Sequence, residues 1–236
     1  LYRKEGIEAE AAFAQGHLPQ TNNESTNNKN TCMSKVTHFL AKAVVKSARK
    51  ITSVYERINV HYLRGEFKHL GKNTQIEFPA TVMNPQCIFI GDNFTARPGL
   101  KLRAYTSFAG VEHNPSVFIG NGVHLAADCT INATHRIEIH DNAALGAGSK
   151  VMDHMHGLPG FEDLQTLILD RILTSRGGVI IHENAMIGAG VVILPGVEIG
   201  KNSVVGSNSV VTKSIPANCI AAGVPARVLK TIEIPQ

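Results

Sequence analysis

Aliphatic residues recur at every sixth position from Ile181 through Ile187, Ile193, Ile199 and Val205 to Val211, and the residue four further on is Ala185, Val191, Val197, Ser203, Ser209 and Ile215. A period of six fits neither an α-helix nor an alternating strand. It fits a solenoid, a parallel β-helix in which each short strand contributes one large apolar plug and one small inward residue. Three hexads make one triangular coil, and stacked coils pair through main-chain hydrogen bonds about 4.8 Å apart, so each backbone group is satisfied by the coil above or below. Glycine often follows the plug, as in Ile187-Gly188, Ile199-Gly200 and Val205-Gly206. A sharp bend between flat faces is expected there.

The same rhythm runs earlier through Ile119, Leu125 and Ile131, then resumes two residues out of phase at Ile139, Leu145 and Val151. An isolated hexad, Ile90-Gly91-Asp92-Asn93-Phe94-Thr95, sets the expected start near residue 84 and the solenoid domain at 84–230. The largest interruption is a loop over 155–178, which carries no six-residue phase and includes Leu158-Pro159-Gly160-Phe161. Long unpatterned loops inside compact domains commonly carry function, so this one is expected to project beside the active site.

Ahead of the coil, Val36, Leu40, Val44, Ile51, Val54, Tyr55, Ile58 and Tyr62 keep helical spacing, and residues 33–68 read as an amphipathic helical segment. Between Lys35 and Lys68 stand eight Lys or Arg and two Glu. The favoured reading is a helix packed on its own solenoid or oligomer with a solvated basic face, capping the open strand edge at the start of the coil. Weak contact with an anionic membrane surface through 35–68 is the other. Residues 1–32, with the run Gln20 to Asn28, are too polar to bury surface and are expected to be a disordered leader. Met33, directly before the patterned segment, is a candidate native start.

The 236 residues, 43% apolar, are enough for one core plus the helical appendage, and the 6% aromatic content without Trp suits a narrow aliphatic prism. A net charge of +4 with no dense basic run argues against nucleic-acid binding. Cys32, Cys87, Cys129 and Cys219 lack C-x-x-C spacing and read as reduced, mostly buried thiols. No apolar run approaches the roughly 18 residues that span a bilayer and no signal peptide is visible, so a cytoplasmic location is expected.

After Val151 the chain reads Met152-Asp153-His154-Met155-His156-Gly157 ahead of the projecting loop. Its tail reads Val210-Val211-Thr212-Lys213-Ser214-Ile215-Pro216-Ala217-Asn218, then Ala221-Ala222-Gly223-Val224-Pro225-Ala226-Arg227-Val228. On these residues the stretch from about Ile90 to Lys230 resembles the hexapeptide-repeat acyltransferases, in particular their sugar and polysaccharide O-acetyltransferase branch. The resemblance implies a left-handed β-helix, a homotrimer with three sites at subunit interfaces, and acetyl-CoA as donor with no metal. His154 would be the general base for a sugar hydroxyl, a weak nucleophile at neutral pH, and such help is worth roughly 10²- to 10⁴-fold. The amide of Ala189 would hold the oxyanion.

For the acceptor the candidates are His156, Asn132 and Asp153. Asp153 is a poor candidate to orient the neighbouring imidazole, because adjacent strand residues point apart, and a backbone carbonyl or loop carboxylate is the favoured orienter. For acetyl-CoA the resemblance implies Gly188, Ala189, Gly206, Ser207, Thr212 and Lys213 along a groove between subunits, with Lys213, Arg227 and Lys230 at the phosphates. The chain departs from the family at Met186, where many relatives have Trp, and at Ala189, where many have a small hydroxyl residue. It also lacks the acceptor-binding helical pair of galactoside and maltose acetyltransferases, and a sugar of a surface polysaccharide or its lipid-linked or nucleotide-linked precursor is the preferred acceptor. Two other readings stand beside this one. A non-catalytic trimeric scaffold needs neither Asp153-His154 nor the tail. A zinc enzyme similar to the γ-class carbonic anhydrases would use His135, His140 and His124, but the hexad phase does not require these side chains to converge.

Overall fold

The computed structural model describes residues 37–48, 50, 51, 54, 62, 64–157 and 164–233. The coil lies within the compact unit Ser53–Gln236. Its strands stack into three parallel sheets, the faces of a triangular prism. The first face comprises His69–Leu70, Ile88–Ile90, Ser116–Ile119, Arg136–Ile139, Val179–Ile181 and Glu198–Ile199. The second runs from Gln75–Ile76 through Ala144–Leu145 and Met186–Ile187 to Val204–Val205, and the third from Thr81–Met83 through Thr130–Ala133 and Lys150–Met152 to Val210–Val211. Pairing begins at His69, which partners Phe89, so the coil starts ahead of the boundary expected near residue 84.

The six-residue pattern becomes the core directly. All six plugs from Ile181 to Val211 are buried, as are the six residues four places further on. Two of those are polar, and each is satisfied: Ser203 Oγ donates to Pro216 O at 2.6 Å and Ser209 Oγ to Gly206 O at 2.6 Å. The phase shift after Ile131 arises at the corner through Thr134 and His135, which carries two more residues than a hexad before the inward pair Ile137 and Ile139.

The glycine after the plug does not make the bend. The left-handed residue sits three places after the plug, as Asn142, Asn184, Asn202 and Asn208, or as Gly190 and Gly196. Asn takes this conformation at lower cost than most residues, and the stacked side chains bond one another, Asn184 to Asn202 at 2.9 Å and Asn202 to Asn218 at 2.9 Å. The glycine directly after the plug serves close approach instead: a Cβ on Gly188 would lie 2.5 Å from Ser207 N in the next coil.

Two excursions leave the prism, both from the corner between the third and first faces. The shorter is an antiparallel hairpin, Ser107–Phe108 with Val111–Glu112, closed by Ala109 and Gly110 at positive φ. The longer follows Met152 and returns at Val179, with Met155–His156 antiparallel to Leu173–Thr174. Residues 158–163 of it, including Leu158 to Phe161, lie outside the described residues. At the far end Ala226–Thr231 turns back antiparallel on Cys219–Gly223. Cys87, Cys129 and Cys219 are unpaired, and burial pushes the Cys129 thiol up to about 11.

Of the amphipathic segment, residues 37–48 are helical, with Phe39, Leu40, Val44 and Val45 exposed. Further along the chain, Arg64 Nη1 donates to Leu70 O at 2.8 Å and Phe67 is buried in the core. The leader 1–32 and Met33 lie outside the described residues.

Candidate active site

Asp153 follows the last residue of the strand Lys150–Met152, where the chain bends out of the prism. It is fully buried, and the corner of the coil below wraps it with three consecutive amides. Its Oδ1 accepts from Thr134 N at 2.9 Å and Thr134 Oγ1 at 3.2 Å, and its Oδ2 accepts from His135 N and Arg136 N, both at 2.8 Å. Such successive N–H groups form an anion cradle. Burial alone would raise this carboxyl, but the bond from His154 and the backbone donors outweigh it and hold Asp153 below its ordinary value.

The remaining partner decides the chemistry. His154 Nδ1 lies 2.9 Å from Asp153 Oδ1. A carboxylate held ionised can only accept, so the neutral ring carries its proton on Nδ1 and leaves Nε2 as the lone pair. The expectation that the two side chains diverge fails because Asp153 occupies a bend, where strand alternation does not apply. With both oxygens engaged by protein donors, Asp153 has no free face for an acceptor. Its one side-chain ring partner is His154.

A cleft of about 340 Å³ opens beside this pair, lined among others by Tyr105, Phe108, Asn132, His154, His156 and Leu194. Three of the residues singled out in the sequence therefore meet in one place. Asn132 belongs to the strand Thr130–Ala133 rather than to a corner, and its Oδ1 is buried without a hydrogen-bond partner. A buried unpaired acceptor calls for a donor from a ligand. His156 is exposed and packs edge-on to Phe108 at 5.3 Å, and Tyr105 meets the His154 ring edge-on at 5.6 Å. The sequence reading missed Tyr105 and Phe108. The available signal was the loss of hexad phase after Leu102 and the turn pair Ala109-Gly110.

The donor candidates fall into two columns. Gly188 and Ala189 stack beneath Gly206 and Ser207 at the corner between the second and third faces. Among the described residues the Ala189 amide donates to no protein acceptor, while its carbonyl accepts from Asn208 N at 2.8 Å. Thr212 and Lys213 stand at the other edge of the third face, on the corner that carries His154 two coils earlier. Arg227 and Lys230 are exposed on the returning strand Ala226–Thr231. His135 and His140 flank the strand Arg136–Ile139 at its opposite ends, so the His124, His135 and His140 set does not form one centre.

Residues 178–213 match the family model described as bacterial transferase hexapeptide (six repeats). The chain belongs to the hexapeptide-repeat acyltransferases, enzymes built on the left-handed parallel β-helix. Within them it falls among the O-acetyltransferases. It is 32% identical over 158 residues to WbbJ of Escherichia coli, named for O-acetyl transfer in lipopolysaccharide biosynthesis, covering 66% of this chain and 77% of that protein. It is 34% identical to a galactoside O-acetyltransferase of Lactococcus lactis, covering 67% of this chain and 70% of the relative. Among solved structures, AntD, an N-acyltransferase of Bacillus cereus in complex with dTDP-4-amino-4,6-dideoxyglucose and coenzyme A, superposes with TM-score 0.62 at 26% identity, covering 75% of this chain and 90% of AntD.

Proposed function

We propose that this enzyme transfers an acetyl group from acetyl-CoA to a hydroxyl of a sugar, in the making of a surface polysaccharide, with His154 as general base. The observation that carries the proposal is the buried Asp153 carboxylate at 2.9 Å from His154 Nδ1, which presets the imidazole as a base at the wall of the cleft. The acceptor hydroxyl gives its proton to Nε2 as its oxygen attacks the thioester carbonyl. The tetrahedral oxyanion is held by the Ala189 amide, and collapse expels the thiolate of coenzyme A, which takes the proton from the imidazolium. No acyl-enzyme is needed. Asn132 and His156 contact the acceptor. Gly188, Ala189, Gly206, Ser207, Thr212 and Lys213 line the donor groove, with Arg227 and Lys230 at its phosphates.

The two donor columns lie on different edges of the third face, and a groove between neighbouring subunits of a homotrimer brings one chain's His154 to another's Ala189. A nucleotide-linked or lipid-linked sugar is the acceptor class. The sugar nucleotide in AntD and the role for which WbbJ is named support it. Among the described residues no helix is long and apolar enough to cross a membrane. The enzyme acts in the cytoplasm, with weak membrane-surface contact through the basic segment 35–68. The deciding experiment follows coenzyme A release from acetyl-CoA against a panel of nucleotide sugars and glycan fragments. Acceptor-dependent thiol release that disappears in His154→Ala supports the assignment, whereas a protein that neither binds acetyl-CoA nor releases thiol favours the scaffold reading.

A further inference from the structure

The corner between the first and second faces is built from glycine in most coils, with Gly71, Gly91, Gly120 and Gly200 directly after the plug. The two coils between Gly120 and Gly200 carry histidine there instead, His140 and His182. The rings face each other edge-on at 5.2 Å. Glu183 completes the group, and one ligand atom from each of the three residues lies within 4.8 Å of the others. Each imidazole also faces a further carboxylate: His140 Nε2 is 3.0 Å from Glu138 Oε2, and His182 Nε2 is 3.7 Å from Glu198 Oε2. A cavity of about 420 Å³ lined by Phe118, Glu138, His140, Asp141 and Glu183 opens on the same place.

We infer that His140, His182 and Glu183 form a site for one divalent transition-metal ion of the zinc class. Two imidazoles with one carboxylate suit zinc, cobalt or nickel, while magnesium and calcium prefer oxygen alone. Ligating histidines commonly carry an outer carboxylate on the other ring nitrogen, the relation in which Glu138 stands to His140. The site is remote from the acyl-transfer chemistry. His140 directly follows the strand Arg136–Ile139, whereas the amides that hold Asp153 stand at its beginning. The ion has a structural use. His140 lies in the coil before the excursion that leaves at Met152 and His182 in the coil after it, so coordination ties together two coils whose connection departs from the prism.

The test titrates the metal-stripped full-length protein with Zn²⁺, and in parallel with Mg²⁺, by calorimetry, with thermal melts of the same samples. The expected result is saturable binding of one Zn²⁺ per chain, no Mg²⁺ binding, and a rise of about 5 °C in Tm once Zn²⁺ is in large excess over its Kd. His182→Gln and His140→Gln are each expected to lower zinc affinity at least tenfold and abolish the Tm rise, with acetyl-CoA binding unchanged. Zinc binding that persists in both variants overturns the inference. So does equal binding of Mg²⁺, or no zinc binding by the folded wild-type protein.

Discussion

In the proposed mechanism His154 serves as a base only while its proton sits on Nδ1, and a buried carboxylate that four other protein donors already grip favours that tautomer. His154→Ala is expected to lower kcat by roughly 10²- to 10⁴-fold, with the Kd for acetyl-CoA unchanged by calorimetry. Asp153→Asn sets an amide against donors that need an acceptor, so it loses both tautomer control and about 1–3 kcal/mol of stability in urea melts. The pH dependence has a definite sign. The folded-state pKa of Asp153 is depressed, so its contribution is full above the ordinary value of 3.8 and is lost as pH falls through the folded value. Acid titrations below that ordinary value should therefore destabilise wild type more steeply than Asp153→Asn. As a candidate, His154 is legible from Asp-His-Met-His at the end of the phased coils. Its partner is not, because strand alternation does not hold for a residue that sits in a bend.

Periodicity at the level of strands and turns was easier to read than the departures from it. The plugs at Ile119, Leu125 and Ile131, and those from Ile181 onward, are core residues in register. The hairpin carrying Phe108 was not foreseen because it is short and lies in a stretch where only isolated hexads were recognised. The bend chemistry was assigned to the wrong residue: glycine after the plug reads as a flexible point, but its φ is not positive at Gly188, Gly200 or Gly206. Two variants separate these roles. Asn184→Ala keeps the left-handed backbone but removes the polar side chain that makes it tolerable and donates to Asn202, and is expected to cost about 1–2 kcal/mol in thermal melts. Gly188→Val pushes against the Ser207 backbone, and because a backbone atom cannot swing away it should cost more and weaken acetyl-CoA binding as well. The amphipathic helix at 37–48 exposes Phe39 at 72% and Val44 at 67%. The protein should co-sediment weakly with anionic lipid vesicles at low salt and be released as salt screens the attraction.

The solenoid is a stack in which each coil is bonded to its immediate neighbours, and the candidate residues for base and donor stand on different edges of one face. Light scattering should report a trimer, and activity should be a property of neighbouring chains. Mixed trimers assembled from inactive His154→Ala chains and inactive Gly188→Val chains are expected to regain activity, because some interfaces then pair an intact base with an intact donor groove. Mixtures that stay inactive while forming normal trimers would place the whole site within one chain. The antiparallel strand Ala226–Thr231 has a further consequence. A stack of identical coils carries no internal instruction to stop, since its last parallel strand offers the same lattice to a foreign chain as to its own next turn. By reversing direction over that strand, the chain closes one of the three faces with an antiparallel edge that a further parallel coil does not continue.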